Sequence, residues 1–369
     1  MKTRILLVLG GLSLATASLM AHHSMTAVYN DAAPATVNGT VTKIDWANPH
    51  VWVYVDAADG KWEIEFASRT ELRRSGWTGD SVKVGDVVTV LGSRARDLKK
   101  KQVHGKTLAI AGGKTLKEAT NTPVARAKGT SKAAPRFPNN GHVRLGPEPG
   151  QAGYWANPSK PSLYEASAVT IRMNEEGILA NILDAGKVAP FQPWAKAVYE
   201  YRQKNRLVDD PMASCLPPGG PRQFQAPYGV QFLEDPTRPR VFVLSRGANR
   251  NWRNIDLDGR TLPNGKDVTP TFYGYSVGKW EGDTLAVQTV GLVERFWFSN
   301  GGLPHTESAK LTERFTRTDY DTLKYEVTID DPGAYTRPWT ASWELQWVPG
   351  DDVDEYFCDD HNRELEHGK

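Results

Sequence analysis

The sequence predicts a mainly β protein built in two parts: a small OB-like antiparallel barrel, then a larger antiparallel barrel or curved meander sheet, with one helix between them. Three observations predict it. Short β-rich runs alternate with turn residues over 35–116 and again over 228–357. Pro, Gly and Lys crowd the stretch 117–161, where aliphatic residues are few. Helical periodicity stands out at one place, near 191–207.

Residues 1–21 carry Lys2 and Arg4, the apolar run Ile5 to Leu14 and then small residues, the order of a secretory signal peptide. Two cut sites are open. Ala15-Thr16-Ala17 fits the small-x-small rule well, whereas a cut after Ala21 fits it at the last position alone and makes His22 the new N-terminus. No later apolar run approaches membrane-spanning length, so no stable span is expected after cleavage and the mature chain is expected to be periplasmic or secreted. In such a compartment two cysteines predict a disulfide between Cys215 and Cys358. Neither sits in a CxxC pair or beside a plausible base, which disfavours thiol–metal and thiol catalysis.

The small barrel is assigned to residues 22–116. Its expected strands are Thr36 to Asp45, Val51 to Asp56, Trp62 to Phe66, Val82 to Leu91 and Lys106 to Ala111, with Asp59-Gly60 as a tight hairpin. Short strands in that number make a small barrel, with OB-like topology the nearest match. Residues 117–161, which contain Pro123, Pro135, Pro138, Pro147 and Pro149, read as a linker. In the connector 162–208, Phe191, Trp194, Ala195, Val198 and Tyr201 recur at helical spacing. Pro193 suits a first turn and Lys204 and Arg206 a last one, predicting a helix over 193–207.

The larger domain, 209–369, offers strand candidates at Val241 to Ser245, Arg253 to Leu257, Phe272 to Val277, Thr284 to Val290, Ala309 to Arg317, Leu323 to Ile329, Ser342 to Val348 and Glu355 to Cys358. A meander of this length closes most economically into a barrel, because closure removes exposed edges, and barrels of that size can hold one small ligand.

Ala21-His22-His23-Ser24, with Gly39-Thr40-Val41-Thr42-Lys43 and Trp46-Ala47-Asn48-Pro49-His50, resembles the opening domain of a family of exported bacterial proteins of unknown function, over about residues 21–116. Cys215-Leu216-Pro217-Pro218-Gly219, Trp280-Glu281-Gly282-Asp283-Thr284-Leu285, Pro304-His305-Thr306-Glu307, Thr312-Glu313-Arg314-Phe315 and Asp330-Asp331-Pro332 resemble a second uncharacterised exported bacterial domain, over about 209–363. The resemblances imply export, a two-part layout and a β-rich fold. They imply no catalytic role.

Three groups of residues carry candidate chemistry. If the leader is cut after Ala21, His22 offers its α-amino nitrogen and its imidazole to one metal, and His23 or His50 a further imidazole, an all-nitrogen set of the kind Cu(II) prefers. In Leu303-Pro304-His305-Thr306-Glu307, a strand-like conformation would put His305 and Glu307 on one face. A carboxylate so placed would prepare His305 as a general base, with Arg295 or Arg314 steadying developing negative charge. Third, Trp280, Trp297, Trp343 and Trp347 concentrate in the larger domain, where aromatic side chains either fill a core or line a cavity for an apolar or ring-shaped molecule. Phe296-Trp297-Phe298 would place aromatics on both faces of one strand.

With 45 Lys+Arg against 43 Asp+Glu and no basic run longer than Lys99 to Lys101, nucleic acid is not an expected partner. A hydrophobic content of 39% excludes a disordered chain. No GxGxxG, P-loop, HExxH or GxSxG motif occurs in its proper context. The sequence thus supports an exported protein that takes up a small apolar or aromatic molecule in its larger barrel, with cofactor-independent isomerase or lyase chemistry if it is an enzyme. A periplasmic copper-binding protein and a structural envelope module are the alternatives.

Overall fold

The computed structural model describes residues 25–118, 132–138, 141–156, 163–165, 171–174, 176–226, 228–235, 237–245, 251–353, 356 and 358. The signal segment, both cut sites, His22 and His23 lie outside the described residues.

The fold is mainly β. The small unit opens with a one-turn helix α1 (Met25–Val28) that runs into β1 (Tyr29–Asp45). It continues through β2 (Val51–Ala57), β3 (Gly60–Phe66), α2 (Arg69–Arg74), β4 (Val87–Ala95), β5 (Gln102–Ile110) and β6 (Thr115–Lys117). The sheet runs β3-β2-β1-β4-β5-β6, and a parallel β3–β5 pairing brings the first five strands round on themselves. With α2 between β3 and β4, this is the expected OB-like arrangement. The β2–β3 hairpin turns at Gly60, whose φ of +117° a side chain would resist. Ser68 and Glu71 form a reciprocal cap on α2, satisfying two backbone N–H groups that the helix start would otherwise orphan. Val41, Val53, Ile64, Trp77, Val90 and Leu108 fill the interior.

The second unit contains β7 (Gly153–Ala156), α3 (Ala185–Val188), α4 (Pro193–Lys204), β8 (Val230–Glu234), β9 (Arg240–Ser245), β10 (Trp252–Asp256), β11 (Tyr275–Glu281), β12 (Thr284–Val290), β13 (Lys310–Arg317), β14 (Thr322–Asp330) and β15 (Trp339–Pro349). Its strands form a closed barrel in the order β10-β11-β12-β13-β14-β15-β7-β8-β9. Three expectations need correction. The segment read as linker supplies β7, which pairs with β15 and β8; its Gly153-Tyr154-Trp155-Ala156 is buried throughout, a core strand hidden among prolines and glycines. The barrel is not wholly antiparallel, since β10 and β11 run parallel through two residue pairs. Last, the strand expected over Glu355 to Cys358 does not form at its described residues, Tyr356 and Cys358, which pack against Cys215, Ala226 and Tyr228. Cys215 and Cys358 are disulfide-bonded, with Cα atoms 5.6 Å apart.

Helix α4 starts at Pro193 as predicted and stops at the Asn205 cap; Arg206 and Leu207 then adopt positive φ values of 52° and 59°. Its buried face differs from the apolar one in the sequence. Ala195, Tyr199 and Gln203 face inward, while Trp194 and Tyr201 are 45% and 55% exposed. Gln203 is tolerated because its amide is fully used: it donates to the Gly177 and Gly301 carbonyls and accepts from the Leu179 N–H.

Side chains occupy the barrel lumen. Phe224, carried in by the 3-10 turn Gly220–Phe224, lies 4.6 Å from Tyr325 and 5.1 Å from Phe315 between ring centroids, and Phe315 lies 5.3 Å from Phe232. Beside these rings sits a polar network. The Arg253 guanidinium forks onto the Glu313 carboxylate and also donates to Ser276 and Thr289, and the Tyr325 hydroxyl donates to Glu313 at 2.8 Å.

Candidate functional site

Alternation along Trp62-Glu63-Ile64-Glu65-Phe66 would put Glu65 on the solvent face of β3. Instead Ile64, Glu65 and Phe66 are all fully buried. The cause is closure: this end of β3 is flanked by β2 and by β5, and Glu65 registers against Trp52 on one side and His104 on the other. A buried carboxylate persists where it is paired and hydrogen-bonded. Glu65 is both, accepting the Tyr29 hydroxyl at 2.5 Å and pairing with His50 Nδ1. The His50 side chain keeps 13% of its surface exposed, so it stands at the edge of the barrel and not within it.

A second carboxylate–imidazole pair adjoins the first. His104 Nε2 lies 3.0 Å from a Glu118 oxygen, and its ring is 5.6 Å from that of Tyr29. Burial by itself would lower the His104 pKa; the Glu118 carboxylate and, beyond it, Glu65 outweigh this and raise it. Glu118 also accepts the Ala67 N–H, which fastens the tail of β6 over β3. Trp46 borders a shallow apolar depression, no roomier than about one water molecule, lined also by Ile44, Val51, Val53, Trp77 and Val82. Among the described residues no three His, Cys, Asp or Glu side chains are grouped as metal ligands. A metal at His50 therefore needs donors from beyond them, and His22 and His23 are such residues.

Of this cluster the sequence reading singled out His50 alone. Glu65, Tyr29, His104 and Glu118 come from separate runs, and the signal that could have exposed Glu65 is its place between Ile64 and Phe66 in a strand whose neighbours are apolar.

The structure does not bring His305, Glu307, Arg295 and Arg314 together. Residues 303–307 lie in a loop ahead of β13, so the two-residue spacing does not put His305 and Glu307 on one face. His305 is 4% exposed, stacked parallel on Phe298 with ring centroids 4.0 Å apart and tilted against Phe296 at 4.5 Å. Its ring nitrogens are directed at the Phe296 and Thr306 carbonyls, at 3.1 and 3.3 Å. Glu307 is exposed, and Arg295 stands 5.8 Å over the Phe272 ring. Arg314 points away from the lumen, between inward-facing Glu313 and Phe315, and pairs with Glu281 at 2.8 Å.

Burial drives the His305 pKa from the usual 6.5 down to about 4, with the charge of Arg202 acting the same way. The sign of the consequence is fixed. Below 6.5 the unfolded chain takes up a proton that the folded chain refuses until about 4, so stability falls as pH drops through that window, by on the order of 3 kcal/mol in full. We expect urea unfolding at pH 7.5 and 4.5 to show this loss, and His305→Phe, which keeps the stack, to flatten it. An unchanged pH slope in His305→Phe would assign the loss elsewhere.

The four tryptophans are also dispersed. Trp280 stacks on His142 at 3.9 Å, and Trp297 lies under the Arg202 guanidinium of α4 at 4.6 Å. Trp343 donates to the Phe224 carbonyl at 3.1 Å, and Trp347 packs edge-on to Trp155 at 5.0 Å. Phe296 and Phe298 flank His305 while Trp297 turns to the helix. A loop and not a strand gives these three aromatics their different directions.

A model of a family of unknown function (DUF6152) matches residues 11–104, a span that includes His22, His23, His50 and His104. No curated protein matches the chain. Among the described residues no helix is long and apolar enough to cross a membrane. The disulfide is compatible with an oxidising compartment.

Proposed function

We propose that the chain is an exported copper-binding protein whose small domain takes Cu(II) through the α-amino nitrogen and imidazole of His22, after cleavage at Ala21, together with His50 or His23. The observation that carries this reading is the shared carboxylate. Glu65 holds both His50 and Tyr29, and Tyr29 is the first residue of the strand that follows the histidine pair. His23 precedes Tyr29 by six positions, most of them in α1, a span of at most about 15 Å of chain. A short tether from Tyr29 to the N-terminal donors, and an imidazole in contact with a buried carboxylate, support this reading. Nitrogen donors of this kind suit Cu(II), and an imidazole whose other nitrogen rests on a carboxylate is the usual form of a histidine ligand.

N-terminal sequencing of the exported chain, and metal analysis of protein purified without a histidine tag, test the proposal. We expect a chain that begins at His22 and binds one Cu(II), with His22→Ala or His50→Ala losing most of the affinity. A mature chain that begins at Ser18, or an untagged protein that takes up no copper, would overturn it.

A further inference from the structure

We infer that the outer wall of the larger barrel over β8, β9 and β10 is a contact face, and that its occupant is a second copy of this chain related by a twofold axis. The inference uses no residue of the small barrel and is independent of the copper reading above.

The face follows from alternation. Phe232, Val241, Val243 and Ile255 point into the core, so Leu233, Phe242, Leu244, Trp252 and Asn254 point outward from the same strands. Register makes them neighbours. Leu233 pairs with Phe242 across β8 and β9, and Leu244 pairs with Trp252 across β9 and β10. Phe242 also opposes Asn254, and the Ile255–Ser276 pair sets Tyr275 beside Asn254 on its other side. Cross-strand partners of this kind stand about 5 Å apart, so the five apolar side chains make one continuous surface. Solvent reaches well into it: Trp252 is 62%, Leu233 40% and Tyr275 38% exposed.

The area fits a protein partner. A large side chain carries roughly 150–250 Å² of surface, so these fractions leave on the order of 400 Å² of apolar face open to water. A standard interface takes about 800 Å² from each partner and is a little more than half apolar. The patch thus supplies nearly the whole apolar share of one such interface.

Charge at the edge narrows the choice of occupant. Arg240 and Asp256, which oppose each other across β9 and β10, are each neutralised within the chain, Arg240 by Asp235 at 2.8 Å and Asp256 by Arg260 at 2.9 Å. The Arg240 guanidinium also lies 4.6 Å over the Phe242 ring. An edge whose two signs are balanced offers no excess of cations to an anionic lipid surface, yet it lets an identical surface approach without like-charge repulsion. A twofold axis then sets the patch against itself, so no second matched surface has to exist.

The test is sedimentation equilibrium of the full exported chain across the micromolar range. We expect a dimer with a Kd that is micromolar or tighter, as interfaces of this size give. Trp252→Glu and Leu233→Lys should each weaken association by at least about 100-fold, because every change enters a twofold contact twice. Leu233→Lys carries the test if Trp252→Glu does not fold. Leu183→Glu, at a position 82% exposed outside the face, should leave the Kd unchanged. A wild-type chain that stays monomeric overturns the inference, as does a dimer that survives both face substitutions or is weakened as much by Leu183→Glu. A monomer that cosediments with phosphatidylglycerol vesicles, and ceases to do so in Trp252→Glu, would make the face a lipid contact and overturn it as well.

Discussion

Replacing Arg253 by Met, or Glu313 by Leu, is expected to lower stability by about 3–5 kcal/mol, while both changes made together with Tyr325→Phe cost far less. The asymmetry follows from burial. Arg253 is 1% exposed and Glu313 not at all, so removing either partner leaves a full charge in the lumen without its counterion. Removing both, and the hydroxyl that would be stranded beside them, leaves an apolar interior of similar volume in contact with Phe224, Phe232 and Phe315. Ser276 and Thr289 still satisfy each other at 3.0 Å. The network also has a place in the architecture. It takes one side chain from each of β10, β11, β12, β13 and β14, and its Arg253–Ser276 bond crosses the parallel β10–β11 seam, where two residue pairs join the strands. Urea unfolding of the three variants decides the matter. An Arg253→Met protein within about 1 kcal/mol of the wild type would mean that the charge is not truly confined.

The network also shows what a strand pattern reveals. Leu311, Glu313 and Phe315 share one face at spacing two, as do Arg253 and Ile255, so a charged residue at an inward position was visible in the sequence as an anomaly. Most strands of both barrels were legible for the same reason, since alternation and turn residues report on burial directly; β6, β7 and β8, short strands beside prolines and glycines or at a sheet edge, were not. The Pro193 helix start was legible because capping is local. What was not legible depended on distant segments. Trp194 and Tyr201 fit a helical apolar stripe, yet α4 buries Tyr199 and Gln203, because carbonyls of two loops happen to meet the Gln203 amide. His305 and Glu307 fit a strand, but the chain there is a loop that wraps Phe296 and Phe298 round the imidazole. Around His50 the sequence supplied the histidine. The carboxylate that gives it a direction comes from β3, through barrel closure that no local pattern encodes.

Loss of the Cys215–Cys358 bond should lower stability by about 2–5 kcal/mol, the upper end being what chain entropy alone allows for so long a loop. The two residues are 143 positions apart, and all of β8 to β15 lies between them. In the unfolded chain the cross-link therefore restricts nearly the whole barrel sequence, which is where most of its effect arises. In the folded chain it has a local task as well. It joins the residues after β15 to the 3-10 turn Pro211–Ser214, a few positions before the turn that delivers Phe224 into the lumen. Around it Tyr356 and Tyr228 pack with centroids 4.9 Å apart, and the Tyr356 hydroxyl donates to that of Tyr228 at 3.3 Å. A Cys215→Ala, Cys358→Ala protein should accordingly unfold at lower urea concentration and, while still folded, exchange its amide hydrogens faster near residues 211–226 than along β13 and β14. Equal urea midpoints for the two proteins would show that the barrel closes independently of the bond. Faster exchange spread evenly over every strand would place the whole effect in the unfolded chain and none in the seating of Phe224.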